Sequence, residues 1–140
     1  MKRQTTLILI CTPIQLMFTY AAVSKWMEFE KFKVAMMSQP IPSLVSTLLI
    51  YTLPLFEMSI VLLLFAPFQK RGLYLSALTM LTFSVYIFLG ITGAFKQMPC
   101  SCGGILGEAS LINHLWFNII FLIISLVGTF TIRRKEAREN

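Results

Sequence analysis

Residues 44–66 read LVSTLLIYTLPLFEMSIVLLLFA. The run carries one charge, Glu57, and one helix breaker, Pro54. Crossing the hydrocarbon core of a bilayer takes about 20 apolar residues in a helix. Lipid offers no partner to a backbone N–H or C=O, so a run of this kind has to satisfy those groups itself, as a helix does. Pro54 removes one such bond, so it kinks the helix or is supported by a neighbour. A carboxylate near the middle of a span is costly in lipid. Glu57 is therefore expected to face the protein interior and either pair or stay protonated. Two readings follow: a proton carrier or quinone hydrogen-bond partner, or a structural carboxyl held by a neighbouring hydroxyl such as Tyr20 or Tyr86.

Working outward, three further runs have the same character, at about residues 7–24, 73–95 and 111–132. The whole composition agrees. Hydrophobic residues make up 56% of the 140 and charged residues 13%, and there is no aspartate. A soluble domain carries about 25% charged residues. The expectation is one all-α domain over 1–140, a four-transmembrane-helix bundle in contact with the lipid bilayer. The net charge of +6 is then a matter of orientation and headgroup contact, with no nucleic-acid partner implied. Lys2-Arg3 ahead of an apolar run also fits a cleaved signal peptide; the run is long for one, and a retained first span is expected.

The joints set the orientation. Residues 25–43, KWMEFEKFKVAMMSQPIPS, place Trp26, Phe29, Phe32 and Met36 at helical spacing among charges. That predicts a short interfacial helix ended by Pro40 and Pro42. Pro67–Gly72 predicts a tight turn, and 133–140 a charged tail. Eight Lys and Arg fall on the side of the termini and the second joint, and four on the side of the first and third joints. The positive-inside rule predicts both termini in the cytoplasm (N-in/C-in) and the first and third joints outside.

The third joint contains MPCSCGG, residues 98–104. If it is extracytoplasmic, its cysteines face a compartment where disulfides persist. Cys100 and Cys102 enclose only Ser101, and a ring that tight departs from ideal disulfide geometry and is readily reduced. Its effect on chain entropy is small. The pair therefore points to thiol–disulfide exchange with Cys100 and Cys102 as the reacting groups. A packing role for the two thiols is the alternative. A soft metal site, Cu(I) on Met98, Cys100, Cys102 and His114, is a third reading.

His114, the only histidine, opens the fourth span on the side of the cysteine joint, and Asn118 follows at i+4 on the same face. His114 is a candidate for tuning a thiolate. Glu57, His114 and Asn118 are candidate contacts for a quinone, the one cofactor considered. A plain interfacial capping role beside Trp116 is the alternative for His114. Lys25 with Glu28 reads as a solvated surface pair, with Lys25 also able to snorkel to the headgroups. Cys11 lies near the other end of the first span, a poor relay partner for the loop thiols.

Four elements in order carry a family resemblance: SKWMEFEKFKVAM (24–36), LPLFEMSIVLLL (53–64), PCSCGG (99–104) and HLWFNIIF (114–121). Together they resemble the MauE/DoxX-like family of small bacterial four-helix membrane proteins, over about residues 5–132. The resemblance implies a bundle in the bacterial cytoplasmic (inner) membrane with a redox role. It implies a link to methylamine utilisation through maturation of methylamine dehydrogenase, and a periplasmic thioredoxin-like partner. It also implies that Cys100 and Cys102 are the loop's redox pair and that Glu57 matches the family's second-span glutamate. The quinone-linked disulfide-forming membrane enzymes are an analogy only. They relay electrons through a second cysteine pair, which this chain lacks.

Overall fold

The computed structural model describes residues 2–65, 67–94 and 111–139. Five helices follow one another: α1 (Lys2–Met27), α2 (Phe29–Met37), α3 (Ser43–Leu63), α4 (Gln69–Ile91) and α5 (Leu111–Glu139). Among the described residues there is no strand. Four of the helices are long and apolar enough to cross a membrane, over Thr5–Met27, Ser43–Leu63, Gln69–Ile91 and Leu111–Arg134. The all-α four-span reading of the sequence therefore holds.

Two boundaries differ from the sequence reading. The second span ends at Leu63, and the third begins at Gln69. Lys70 and Arg71 are thus in the first turn of α4, and the tight turn is confined to the few residues before it. The cause is a close approach of backbones. A Cβ on Gly72 would lie 2.7 Å from the carbonyl carbon of Leu63. Only glycine lets α4 begin so soon against the end of α3. Gly93, with φ +77°, closes α4 at its other end. The Ala94 amide donates to the Leu89 carbonyl there, as a left-handed helix terminus requires.

Each long helix turns a narrow stripe inward. On α3 it is Ser46, Ile50, Leu53, Pro54, Glu57, Ile60 and Val61, the i, i+3, i+4 spacing of one helical face. On α1 it is Leu7, Cys11, Ile14, Phe18, Ala21 and Lys25. The outward faces carry large exposed apolar side chains such as Leu9, Leu16, Leu48, Leu55, Leu81 and Ile123. That surface suits a lipid environment and would be an oversized apolar patch in water.

The helix ends nearest the chain termini hold a dry core of Leu7, Cys11, Ile14, Phe18, Ile60, Leu64, Leu73, Met80 and Ile132. Gly128 lets α5 press against this core, since a Cβ there would sit 2.9 Å from Ile10 and Leu73 side-chain carbons. The Ser76 and Ser125 hydroxyls share a hydrogen bond of 2.9 Å across α4 and α5, and Arg133 Nε donates to the Tyr74 hydroxyl. α2 packs Phe32 and Met36 against Ile50 and Leu53 of α3.

Candidate functional site

Glu57 faces inward, as the cost of a carboxylate in lipid demands, but its partner is neither tyrosine. Lys25 Nζ donates to Glu57 Oε1 at 2.9 Å and to Oε2 at 3.0 Å. Its third bond goes to the Ala21 carbonyl at 3.1 Å. An ammonium has three donors, and all three are used. The side chains of Lys25 and Glu57 are 3% and 4% exposed. The Phe32 ring of α2 lies 5.8 Å from the ammonium.

This corrects two expectations about Lys25. It is not solvated, and Glu28 is not its partner; Glu28 pairs with Lys31 at 3.0 Å on the exposed surface. The bond to Ala21, four residues earlier in α1, shows that the Lys25 side chain runs back into the bundle rather than out toward headgroups. Tyr20 is 50% exposed, and the Tyr86 hydroxyl donates to Gln39 Oε1 at 2.8 Å. A signal for the pair was present. Lys25 continues the inward stripe Cys11, Ile14, Phe18, Ala21 at helical spacing, so it shares the face that Glu57 must also seek.

Pro54 is fully buried on the stripe one turn before Glu57. It has no N–H to offer the Ile50 carbonyl, so one backbone acceptor is released beside the ion pair. The opposite charges hold α1 and α3 together through their longest-reaching side chains. Burial of this kind is expensive unless geometry is close to ideal and every donor is satisfied, and both conditions are met on the lysine.

α5 supplies the other candidates. Asn118 is buried and His114 half-buried, on the stripe that continues through Ser125 and Ile132. The Ser76–Ser125 contact sets the antiparallel register of α4 and α5, which puts Asn118 opposite Phe83 and Ser84. Lys25 lies close enough to His114 to act on it electrostatically. Neither His114 nor Asn118 makes a hydrogen bond among the described residues. The structure thus brings Lys25 and Glu57 together between α1 and α3, and puts His114 and Asn118 on one face of α5 near its Leu111 end. Met98, Cys100 and Cys102 lie outside the described residues. Ile91 and Leu111, where the flanking helices stop, fix the end of the bundle their segment joins. Among the described residues no three His, Cys, Asp or Glu side chains converge as a metal site. Cys11 is buried in the dry core, among the residues of the terminal end.

The model of a protein family described as "Methylamine utilisation protein MauE" matches residues 3–131. No curated protein and no solved structure matches the chain.

Proposed function

The chain belongs to the MauE family, and on that premise we propose that it is a thiol–disulfide exchange component of the bacterial inner membrane. Its place is the methylamine-utilisation function for which the family is named. The Cys100–Cys102 pair faces the extracytoplasmic side and exchanges electrons with a thioredoxin-fold or secreted partner. What supports this reading is the C-x-C-G-G run itself, in the stretch of sequence between α4 and α5, with His114 following it in the first turn of α5.

The exchange balances without a further reagent. A partner thiolate attacks one sulfur of the Cys100–Cys102 disulfide. A mixed disulfide forms, and the released loop thiolate takes a proton. The partner's second thiol then displaces the loop sulfur. The partner leaves with a disulfide, and the loop keeps two electrons and two protons as thiols. Run in reverse, the same steps reduce the partner. His114 is the group placed to hold the proton at the loop end. A quinone at Glu57, His114 and Asn118 would take up the loop's electrons and protons.

The charge pattern supports the orientation. The side of the first and third joints carries four basic residues against eight on the side of the termini, the asymmetry that the positive-inside rule reads. The test is a pair of trapping variants. Cys100→Ser or Cys102→Ser leaves a mixed disulfide without its resolving thiol. One of them is expected to accumulate a reducible adduct, absent from the double variant. No adduct in either would point to an assembly subunit with structural cysteines, and protection of both thiols by Cu(I) to a copper carrier.

A further inference from the structure

α3 and α4 meet closely at the turn that joins them, where Gly72 sits against the Leu63 backbone. Further along they part. A groove of about 520 Å³ opens between them, inside the range of about 300–1,000 Å³ typical of small-molecule sites. Val45, Leu49 and Phe56 of α3 line it with Leu78, Phe83 and Tyr86 of α4. Met36 and Gln39, from α2 and the joint after it, complete the wall. From Val45 to Phe56 the groove follows eleven residues of α3, about 16 Å at 1.5 Å per residue. Phe56 and Leu78 on its rim are 42% and 59% exposed. The groove therefore opens sideways, toward the lipid of a spanning bundle.

Its polar chemistry is concentrated at one end. Thr79 and Thr82 also line it, but each hydroxyl donates back to a carbonyl of its own helix, Leu75 and Leu78. What remains is the Tyr86 hydroxyl, which donates to Gln39 Oε1 at 2.8 Å. Gln39 is 5% exposed, and its amide nitrogen donates to the Ala35 carbonyl. Tyr86 stands five residues before α4 ends and Gln39 four before α3 begins, so the pair marks the end of the groove where α4 stops. Among the described residues no charged side chain lines the groove. The phosphate of a phospholipid calls for a cation, and an acyl chain has no use for a hydroxyl and a carboxamide. A quinone uses all that is present. Its carbonyl accepts the Tyr86 proton, and the hydroxyl of its quinol form donates to Gln39 Oε1. Its flat ring suits the aromatic lining of Phe83 and Tyr86, and its tail is hydrocarbon. We propose that this groove seats a lipid-soluble quinone, with the ring at the Tyr86–Gln39 end and the tail along Leu49 and Phe56. Glu57, His114 and Asn118 do not line it, so the seat is separate from those candidates, and both Glu57 oxygens are held by Lys25. In the exchange proposed above, the two loop thiols close to a disulfide and the quinone takes their two electrons and two protons, becoming the quinol. That step rests on the thiol-exchange reading; the seat does not.

The test is quenching of tryptophan fluorescence by decylubiquinone, with the full chain in lipid nanodiscs and a Trp26→Phe, Trp116→Phe, Cys100→Ser, Cys102→Ser background. One reporter is placed on the groove rim, Leu78→Trp, and a control on the outward face of α5, Ile123→Trp; the two positions are 59% and 54% exposed. Quenching at the rim is expected to saturate at a low ratio of quinone to lipid. At the control it should rise linearly, as collision within a bilayer does. Tyr86→Phe and Gln39→Leu should each raise the half-saturating ratio about two- to tenfold, the worth of one hydrogen bond. Cys11, 2% exposed, reports by slow alkylation that each variant is folded. Linear and equal quenching at both positions would overturn the seat and leave a groove filled by lipid chains. So would saturation that neither Tyr86→Phe nor Gln39→Leu shifts. A shift produced by Asn118→Leu while both groove variants are silent would overturn it too, and return the quinone to α5. A saturable seat in a chain whose Cys100 and Cys102 decylubiquinone fails to oxidise would overturn the electron-transfer step and leave the seat standing.

Discussion

Removing either member of the Lys25–Glu57 pair should cost more than removing both. Lys25→Met strips a charge while keeping an unbranched chain, and leaves a carboxylate 4% exposed with neither of its two ammonium bonds. Glu57→Leu leaves an ammonium with one of its three acceptors, the Ala21 carbonyl. Breaking a buried pair from one side costs about 3–5 kcal/mol, because the survivor stays desolvated and uncompensated. The double variant removes both charges and fills the space with hydrocarbon, which is commonly neutral or stabilising. The cycle should therefore show a coupling of at least about 3 kcal/mol. The assay is unfolding in mixed micelles, read by alkylation of Cys11 in a Cys100→Ser, Cys102→Ser background. Cys11 is 2% exposed and stands in the core, so it reacts only on opening. Single variants within about 0.5 kcal/mol of the parent, or a double equal to the sum of the singles, would refute the reasoning.

Further outcomes follow from three glycines and the buried serine pair. Gly72→Ala places a methyl 2.7 Å from the Leu63 backbone, which cannot swing away. It should destabilise by at least about 1–3 kcal/mol in the same assay, whereas Gly128→Ala, meeting only the tips of Ile10 and Leu73, should cost less. Gly93→Ala meets no atom, yet should still lose about 1 kcal/mol to its positive φ. Ser76→Ala leaves the Ser125 hydroxyl without the bond across α4 and α5 and should cost about 0.6 kcal/mol, up to 1.7. A Ser76→Ala, Ser125→Ala double that is no better than the sum of the singles would show that the bond adds nothing.

The spans were legible because lipid leaves a chain little choice: an apolar run of that length must be a helix, and 44–66 says so from either end. The direction in which Glu57 faces was legible for the same reason. Its partner was not. Glu28 close by in sequence and the habit of lysines at span ends point Lys25 to the surface. The stripe it completes with Phe18 and Ala21 carried the opposite message. Span ends were blurred where a glycine allowed α4 to start early, since hydropathy alone does not register a backbone contact such as Gly72 on Leu63. The groove between α3 and α4 has no signature in sequence at all, being a property of how the two helices part.

The exchange reading stands on the state and side of two thiols, and one measurement addresses both. Intact cells are treated with a membrane-impermeant thiol reagent before and after reduction, in a chain whose Cys11 is replaced by alanine. The account predicts that Cys100 and Cys102 label from outside only after reduction, and that each single serine variant labels without it or runs as a mixed disulfide. Equal labelling before and after reduction would contradict it, as would no labelling from outside even after reduction.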